Sequence, residues 1–210
     1  MALSVNEIFY SIQGESTYAG SPCVFVRLAG CNLRCAYCDT LYARQNGRLM
    51  EIDEIVSIVE KHGVHLVEVT GGEPLIQVET PVLVERLLNR GYSVLLETNG
   101  SRDISALDKR CAIILDIKCL SSSMSDHNDL ENISKLTKGD EVKFVIGDLA
   151  DYEFAKDIVN RTGLERSMLY PILFSPVFQK LDPEILARWI IKDKLNVRLQ
   201  LQIHKMLRLP

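Results

Sequence analysis

The sequence of 210 residues has no apolar run that approaches the roughly 18 residues of a membrane-spanning helix. Its first residues, Met1–Glu7, lack the basic and apolar regions of a secretory signal, so we expect a cytoplasmic protein with no membrane partner. A net charge of −4 argues against a nucleic-acid partner, because such binding needs a broad basic field. Internal repeats, low-complexity segments and linkers are also absent from the sequence. We therefore expect a single domain over residues 1–210.

Cysteine is present, but a fourth cysteine is missing from the segment in which three of them gather. Cys31, Cys35 and Cys38 follow an apolar run with the spacing C-x3-C-x2-C. A segment of that length spans at most about 28 Å and folds into one loop, so all three sulfurs can converge on one inorganic centre. Iron–sulfur clusters normally take four cysteine ligands. The spacing therefore predicts a 4Fe-4S cluster with three protein ligands and one open iron, since an open position is typical of reactive metal sites.

Two other kinds of metal site fit the same cysteines less well. A tetrahedral zinc site could be completed by one of the four histidines, but zinc ligands usually come in paired spacings. An electron-transfer ferredoxin would need a fourth cysteine nearby. The remaining cysteines, Cys23, Cys111 and Cys119, are expected to be small buried apolar side chains.

Segments with strand and helix patterns alternate along most of the chain. Strands are predicted at Val5–Tyr10, Val24–Ala29, Leu66–Thr70, Ser93–Glu97, Ala112–Ile117, Glu141–Ile146, Ser167–Leu173 and Val197–Gln202. Helices are predicted at Ile52–His62, Val82–Asn89, Asp126–Thr137, Ala150–Arg161 and Pro183–Lys192. This alternation predicts an α/β fold with a mainly parallel sheet, and its strand–helix units are too few for an eight-fold barrel. We therefore expect a partial, incomplete β/α barrel, with its chemistry at the carboxyl ends of the strands.

Three polar or glycine-rich turns follow predicted strands and would share that rim with the cysteine loop. An open iron can bind the amine and carboxylate of S-adenosylmethionine, whose sulfonium yields a carbon radical when an electron breaks it. Gly71 and Gly72 would let the backbone approach this ligand closely, although a tight turn also favours glycine. The segment Glu97–Gly100 offers polar groups and equally fits an ordinary turn. Asp116 and Lys118 could instead form a surface ion pair.

Four motifs taken together resemble the radical S-adenosylmethionine superfamily. They are Ser11-Ile12-Gln13-Gly14-Glu15, the cysteine loop continuing as Asp39-Thr40, Thr70-Gly71-Gly72-Glu73-Pro74, and Glu97-Thr98-Asn99-Gly100. Within the superfamily, the chain is similar along essentially its whole length to the family of 7-carboxy-7-deazaguanine synthases. The Ser-Ile-Gln-Gly-Glu start, the Cys-Asp-Thr step and the tail Gln202-Ile203-His204-Lys205 carry this narrower resemblance.

The resemblance implies a magnesium-dependent ring contraction in queuosine or 7-deazapurine biosynthesis. The expected substrate is 6-carboxy-5,6,7,8-tetrahydropterin, and the expected product is 7-carboxy-7-deazaguanine, formed with loss of ammonia. The radical would come from S-adenosylmethionine at the 4Fe-4S cluster, take hydrogen from C6 of the pterin and later return it. A flavodoxin or ferredoxin electron donor and a homodimer are also implied, whereas no further catalytic side chain is assigned.

The resemblance also assigns residues to each ligand. The cluster would be held by Cys31, Cys35 and Cys38, and magnesium by Thr40, which could instead be a helix N-cap. Contacts to S-adenosylmethionine are expected from Tyr37, Cys38, Asp39, Gly72, Glu97, Asn99, Asp116, Ile117, Lys118, Ser175, Pro176, Val177 and Phe178. Contacts to the pterin are expected from Ile12, Gln13, Gly14, Glu15, Arg27, Thr70, His204 and Pro210.

Several of these residues could have an ordinary structural role instead. The planar guanidinium of Arg27 could pair with a substrate carboxylate through two hydrogen bonds, or Arg27 could be an ordinary surface arginine. Pro210 would present its terminal carboxylate to the pterin, unless the chain end is frayed. His204, on the predicted last strand, is a hydrogen-bond donor to the ligand or a packed histidine. Glu15 is a further acceptor or a loop charge.

The sequence also allows two other functions. A glycyl-radical-activating enzyme shares the cysteine spacing, acts on a protein partner and does not need the Gln13–Glu15 loop or Thr40. A non-catalytic, zinc-stabilised binding module would contain zinc without acid-labile sulfide.

Overall fold

The structure of the chain, a computed structural model, describes residues 1–164 and 170–210. Its strands are β1 (Ala2–Ile12), β2 (Pro22–Leu28), β3 (Arg48–Glu51), β4 (Leu66–Gly71), β5 (Ser93–Thr98), β6 (Ala112–Ile117), β7 (Glu141–Ile146), β8 (Ile172–Pro176) and β9 (Arg198–Leu199). Its α-helices are α1 (Ile52–Glu60), α2 (Thr80–Asn89), α3 (Leu149–Thr162), α4 (Pro183–Asp193) and α5 (Ile203–Leu207). All of these strands belong to one sheet, in the order β3-β1-β2-β4-β5-β6-β7-β8-β9.

The sheet is mainly parallel and open. β1 runs antiparallel to β2 and β3, whereas every neighbouring pair from β2 to β9 is parallel. β3 and β9 form the two edges and do not pair with each other, so the sheet does not close. The predicted partial β/α barrel is confirmed. Parallel neighbours need long crossovers, and α1, α2 and α3 lie in three of them.

The predicted helices with clear apolar periodicity form close to their expected bounds. In α1 the buried side chains are Ile52, Ile55, Val56 and Val59, which recur at helical spacing and pack on the sheet. α3 begins where the Asp148 side chain accepts a hydrogen bond from the Asp151 backbone N–H. Such an N-cap satisfies one of the backbone donors that a helix start leaves unpaired. Periodicity and capping together therefore determine where these helices lie.

Alternate residues along the parallel strands face two different environments. The helix face of the sheet carries the large apolar core, which includes Val67, Val69 and Phe144 and packs against the α-helices. The opposite face, here called the cavity face, carries a smaller apolar cluster of Cys23, Phe25, Leu66, Leu95 and Ile114. Beside that cluster, the charged side chains of the same face line a cavity, namely Arg27, Glu68, Glu97, Asp116 and Lys143.

The predicted polar helix Asp126–Thr137 is wrong. The chain instead forms two short 3-10 segments, Ser125–His127 and Leu130–Lys135. The Asn128 side chain donates to the Lys118 carbonyl oxygen at 2.9 Å, and Asn132 donates to the Arg102 carbonyl oxygen at 2.8 Å. Asparagine side chains that bond to distant backbone groups compete with a regular helix. This segment is therefore held against the strand ends rather than coiled into an α-helix.

The predicted last strand is also largely wrong, because β9 contains only Arg198 and Leu199. After it the Ile203 backbone N–H donates to the Gly14 carbonyl oxygen at 3.0 Å, and α5 begins there. β3 was not predicted, since it is short and three of its four residues are exposed. The prediction Ser167–Leu173 falls partly on 165–169, outside the described residues, and β8 begins at Ile172.

Among the described residues, no helix combines the length and apolar character needed to cross a membrane.

Candidate active site

A cavity of about 400 Å³ lies at the carboxyl ends of the parallel strands. Its size falls within the range of roughly 300–1,000 Å³ that is usual for small-molecule sites. The cysteine loop, Gly71–Gly72 and Glu97–Asn99 all line it, as the predicted rim of the barrel requires. Residues from the N-terminal loop and from the end of the chain close its other side, and these include Gln13 and Pro210.

The cysteine loop is fixed by contacts with neighbouring loops. The Ala36 backbone N–H donates to the Ser122 carbonyl oxygen at 3.0 Å, and the Asn99 side-chain amide donates to Asn32 Oδ1 at 3.1 Å. Leu33 is fully buried and anchors the centre of the loop. As a result, Cys31, Cys35 and Cys38 all line the same cavity while remaining partly accessible.

The three thiols fit the cluster that their spacing predicts. Burial raises the pKa of the Cys35 thiol, and the thiols of Cys38 and Cys31 act in the same direction. The positive charge of Lys118 acts in the opposite direction and lowers that pKa. All three thiols line one cavity, and soft thiolates are the usual ligands of iron–sulfur clusters. Within residues 1–164 and 170–210, no three His, Cys, Asp or Glu side chains converge closely enough to hold a single metal ion.

The two glycines that follow β4 meet a strict steric requirement. A Cβ atom on Gly72 would collide with the Gly30 carbonyl oxygen and crowd Cys31, and one on Gly71 would collide with Leu28. Gly71 also has a φ of +145°, which strongly favours glycine. The glycines therefore let the backbone after β4 pack directly against the cysteine loop and β2, where no side chain would fit.

Glu73 joins two of the predicted motifs, and sequence reasoning gave it no role. Its fully buried carboxylate accepts hydrogen bonds from Thr98 Oγ1 at 2.8 Å and from the Asn99 backbone N–H at 2.6 Å. Burial raises the pKa of Glu73, and these hydrogen bonds act against that shift. Glu73 thus holds the Glu97–Gly100 turn in position against the glycine turn.

Lys143, on β7, lies at the centre of the charged part of the cavity and was also missed. Its Nζ atom lies 2.7 Å from Glu15 Oε2 and 2.5 Å from Glu97 Oε1, and its side chain is only 6% exposed. Burial opposes the charged form of Glu15, but Lys143 holds the pKa of that carboxyl below its ordinary value. Burial raises the pKa of Glu97, and Lys143 only partly offsets the shift.

Glu68 is the third carboxyl of this group and has no cation as a direct partner among its described contacts. Gln13 Nε2 donates a hydrogen bond to Glu68 Oε2, and the side chain is buried. Burial raises the pKa of Glu68 well above its ordinary value, and the charge on Glu97 adds to the shift. Burial thus favours the protonated form of Glu68, and a protonated carboxyl can donate a hydrogen bond as well as accept one.

Asp116 and Lys118 form a buried ion pair rather than the surface pair considered above. Lys118 Nζ lies 2.7 Å from Asp116 Oδ2, and the two side chains are 13% and 9% exposed. Burial acts against the charged form of Lys118, but Asp116 keeps its pKa above the ordinary value. Asp116 Oδ1 is buried with no hydrogen-bond partner among the described residues, although Asp116 lines the cavity. An acceptor in this state is suited to a bound ligand.

The predicted contacts at the far side of the cavity divide into two groups. Val177 and Phe178 line the cavity, whereas Ile117, Ser175 and Pro176 are buried and do not line it. The Ile117 side chain packs in the large core on the helix face. Its alternation with Asp116 explains this placement, because successive side chains of a strand point to opposite faces.

Thr40 lines the cavity immediately after the cysteine loop. It occupies the N-cap position of the 3-10 segment Leu41–Arg44, but its side chain makes no capping hydrogen bond there. Instead, Thr40 Oγ1 lies 3.0 Å from Asp39 Oδ1, and the other oxygen of Asp39 pairs with Lys205. The N-cap role considered for Thr40 is therefore wrong.

The residues predicted to contact the pterin all line this cavity, namely Ile12, Gln13, Gly14, Glu15, Arg27, Thr70, His204 and Pro210. Arg27 is not a free surface arginine, because its side chain is 16% exposed and its Nε atom lies 2.8 Å from Glu7 Oε1. Its guanidinium carbon lies 5.4 Å from the centre of the Phe9 ring. These contacts hold the guanidinium at the cavity wall.

The end of the chain folds over the cavity and is not frayed. Ser11 Oγ donates to the Pro210 carbonyl oxygen at 3.1 Å, and the Leu209 backbone N–H donates to the His204 carbonyl oxygen at 2.9 Å. His204 lies on α5 rather than on a strand, so close to Gly14 that a Cβ atom there would collide with the imidazole. The loop before β2 and the chain end therefore form one wall.

An open, mainly parallel barrel with three thiols, a bare glycine turn and carboxylates at one rim defines a radical S-adenosylmethionine enzyme. The family model of the radical SAM superfamily matches residues 26–158. The 7-carboxy-7-deazaguanine synthase of Koribacter versatilis is 45% identical, over 99% of this chain and 98% of its own. That of Chlorobaculum tepidum is 46% identical, over 97% of this chain and 93% of its own. The chain therefore belongs to the 7-carboxy-7-deazaguanine synthase family of radical SAM enzymes.

Solved structures share the fold. The crystal structure of QueE from Escherichia coli matches with a TM-score of 0.80 and 21% identity, covering 96% of this chain and 94% of that one. Streptococcus suis SuiB bound to S-adenosylmethionine matches with a TM-score of 0.57 and 14% identity, covering 82% of this chain and 48% of that one. At these identities the likeness establishes the open barrel alone.

Proposed function

We propose that this enzyme converts 6-carboxy-5,6,7,8-tetrahydropterin to 7-carboxy-7-deazaguanine with loss of ammonia, in a magnesium-dependent step of queuosine or 7-deazapurine biosynthesis. One observation carries the proposal. The three thiols, the groups predicted to bind the pterin and most of the groups predicted to bind S-adenosylmethionine line the same cavity. A radical formed at one wall could therefore reach a substrate held at the other.

Cys31, Cys35 and Cys38 would hold the cluster. When bound, the cluster and S-adenosylmethionine supply the carbon radical that takes hydrogen from the substrate. Gly72 lines the cavity beside the cysteine loop, where the methionine part of this ligand would lie. Asp116 Oδ1, buried without a partner among the described residues, can accept a hydrogen bond from the ribose or the ammonium of this ligand.

Polar groups of both charge signs suit the pterin. Arg27, held by Glu7 and Phe9, can form a planar fork with the substrate carboxylate. Gln13 and Glu15 face the cavity with an amide and an acceptor-only carboxylate, which match the mixed donors and acceptors of a lactam edge. The terminal carboxylate of Pro210 would add a second anion facing ring donors.

Magnesium would be bound next to the cysteine loop. Thr40 makes no capping bond and can offer its hydroxyl oxygen, with water and the substrate carboxylate completing the shell. Oxygen ligands of this kind are what a small, hard cation prefers. A flavodoxin or ferredoxin would deliver the electron, and we propose a homodimer in the cytoplasm.

Turnover of the carboxytetrahydropterin by the anaerobically reconstituted enzyme tests the proposal. We expect formation of the deazaguanine product and ammonia, with a rate that depends on added magnesium. No consumption of the pterin by protein that contains iron and acid-labile sulfide would contradict it, and radical transfer to a protein partner would identify an activating enzyme instead. Zinc without acid-labile sulfide would identify a binding module.

Replacing Thr40 by alanine separates the magnesium from the cluster. We expect turnover at limiting magnesium to fall by roughly ten-fold or more, the scale on which changes around a metal alter its affinity. Iron and sulfide content should stay unchanged. Thr162→Ala, on the exposed end of α3, is the matched control and should behave like the wild type. Loss of the cluster in Thr40→Ala would show instead that Thr40 supports the cysteine loop.

A further inference from the structure

Lys143 connects two parts of the cavity that are far apart in the sequence. Glu15 belongs to the loop between β1 and β2, and Glu97 lies near the carboxyl end of β5. Lys143, midway along β7, contacts both carboxylates, at 2.7 Å and 2.5 Å. A buried ammonium is stable only when it is paired and hydrogen-bonded, and here each partner comes from a different wall of the cavity.

The contact with Glu15 extends to the rest of the N-terminal loop. The Glu15 backbone N–H donates to Gln13 Oε1 at 2.8 Å, and Gln202 Nε2 donates to Glu15 Oε1 at 2.8 Å. Both oxygens of the Glu15 carboxylate therefore have a partner, one from β7 and one from the chain end. The position of Gln13 depends on Glu15, and that of Glu15 depends on Lys143.

β7 holds the same loop at a second point. The Thr17 backbone N–H donates to Glu141 Oε1 at 2.9 Å, and the Thr17 hydroxyl contacts the same atom. Glu141 and Lys143 lie two residues apart on β7 and so point to the same face. The loop is thereby aligned along β7, with its polar side chains directed into the cavity.

We infer that Lys143 is a positioning residue, which fixes Glu15 toward the pterin and Glu97 toward S-adenosylmethionine and thereby sets the distance between the two ligands. The inference rests on the proposed function for the identity of the pterin. Lys143 itself need not contact either ligand. Its role is to hold the two carboxylates in place.

Loss of this ammonium has a consequence that a purely structural residue would not have. The other titratable groups that act on the site are Glu68 on β4, Asp116 on β6, Glu141 on β7, Arg27 on β2, His204 on α5 and Asp39 just after the cysteine loop. Without Lys143, the acidic groups outnumber the basic ones around Glu15 and Glu97. The pKa of both carboxyls should rise, because like charges and burial each disfavour the ionised form. Ligand affinity should then increase with pH, since higher pH restores the carboxylates.

The test compares Lys143→Met with the wild type after cluster reconstitution. Affinity for S-adenosylmethionine alone is read from the change in the cluster spectrum, and affinity for the carboxytetrahydropterin by equilibrium binding, each across a pH series. We expect both affinities to fall by roughly ten-fold or more near neutral pH, the scale seen when one partner of a buried pair is removed. Both should recover as the pH rises, whereas the wild type should change little. Lys156→Met, which breaks exposed pairs on α3, should match the wild type.

Each outcome decides the matter. Unchanged affinities without pH dependence would overturn the positioning role. If Lys143→Met does not fold, Lys143→Gln takes its place, because it removes the charge but keeps a polar side chain, and it should show the same fall in affinity and the same recovery at high pH. Failure of both variants to fold would assign Lys143 to structure alone and also overturn the positioning role. If the wild type binds S-adenosylmethionine but not the pterin, the proposed function fails. The affinity for S-adenosylmethionine still tests whether Lys143 positions Glu97.

Discussion

One sheet presents two faces with opposite chemistry. On β7, Val142 and Phe144 pack into the core of the helix face, whereas Glu141 and Lys143 point to the cavity face. All four are buried, so burial alone does not distinguish the two faces. The helix face is stabilised by removal of apolar surface from water, while the cavity face holds charges that need partners or ligands. Neighbouring residues of a strand therefore serve different purposes, because one points to the face that stabilises the fold and the next to the face that lines the site.

The cysteine loop provides the sharpest test of this separation. Cys35→Ala should abolish turnover and greatly lower the iron and sulfide content, because the cluster loses one of three ligands. The fold should survive, since Cys35 is only partly buried. Circular dichroism and metal analysis measure the two properties independently. Cys111→Ala, a buried thiol of the helix-face core, should keep both cluster and activity, and cluster loss there would break the comparison.

A change on the helix face should have the opposite profile. Leu87 on α2 is fully buried, and Leu87→Ala should lower the free energy of unfolding by about 2–5 kcal/mol through lost burial and a cavity. Denaturant unfolding of the apoprotein measures this value. Turnover per folded, cluster-loaded molecule should not change. Leu49→Ala, at an exposed position on β3, is the control and should leave stability nearly unaltered.

An extension beyond Pro210 probes the wall that the chain end forms. A short tag appended after Pro210 removes the terminal carboxylate from its place beside Ser11 and should weaken pterin affinity by roughly ten-fold, or about 1.4 kcal/mol. S-adenosylmethionine binding should be unaffected, because neither Ser11 nor Pro210 is among the residues predicted to bind it. The same tag at the N-terminus is the control, and unchanged pterin affinity in the C-terminal variant would refute a role for the carboxylate.

Glu68→Gln tests whether the cavity face costs stability, and it should have the smallest effect. The pKa of Glu68 is raised well above its ordinary value of 4.5 by burial and by Glu97. Glu68 therefore supports folding fully below pH 4.5, and its support is lost as the pH rises through the folded-state pKa. The glutamine variant cannot ionise, so its stability should fall less with rising pH than that of the wild type.

Urea unfolding at a series of pH values measures this difference. Glu85→Gln, at an exposed position on α2, is the control and should follow the wild-type curve. Parallel curves for Glu68→Gln and the wild type would show that Glu68 is ionised in the folded protein.

Local patterns predicted most of the fold. The alternation of strands and helices led to the open parallel barrel, and α1 to α4 begin within two residues of their expected positions. The errors fall at 126–137 and 197–202, where side chains such as Asn128 bond to distant parts of the chain. Hydrogen bonds of that kind leave no local periodicity to read.

The missed site residues have a signal of their own. Glu68 is the single charged residue of an otherwise apolar strand, the feature that also marks Arg27, and Lys143 shares its strand with one other charged residue, Glu141. Strands of a parallel sheet are usually buried on both faces and read as continuous apolar runs. A lone charge within such a run indicates a cavity face. Glu73 had a weaker signal, since its role depends on the neighbouring turn at Thr98.

By itself the sequence predicted the cysteine loop, the barrel and the family, because each rests on residues that are adjacent or regularly spaced. Only the tertiary structure decided that Lys143 joins Glu15 to Glu97, that Asp116 and Lys118 form a buried pair, and that the chain end closes the cavity. Glu15 and Lys143 are separated by 128 positions, and no local pattern records such a pairing. The pairing follows from the packing of whole strands, which brings charges from distant parts of the sequence into one cavity, where each charge needs a partner.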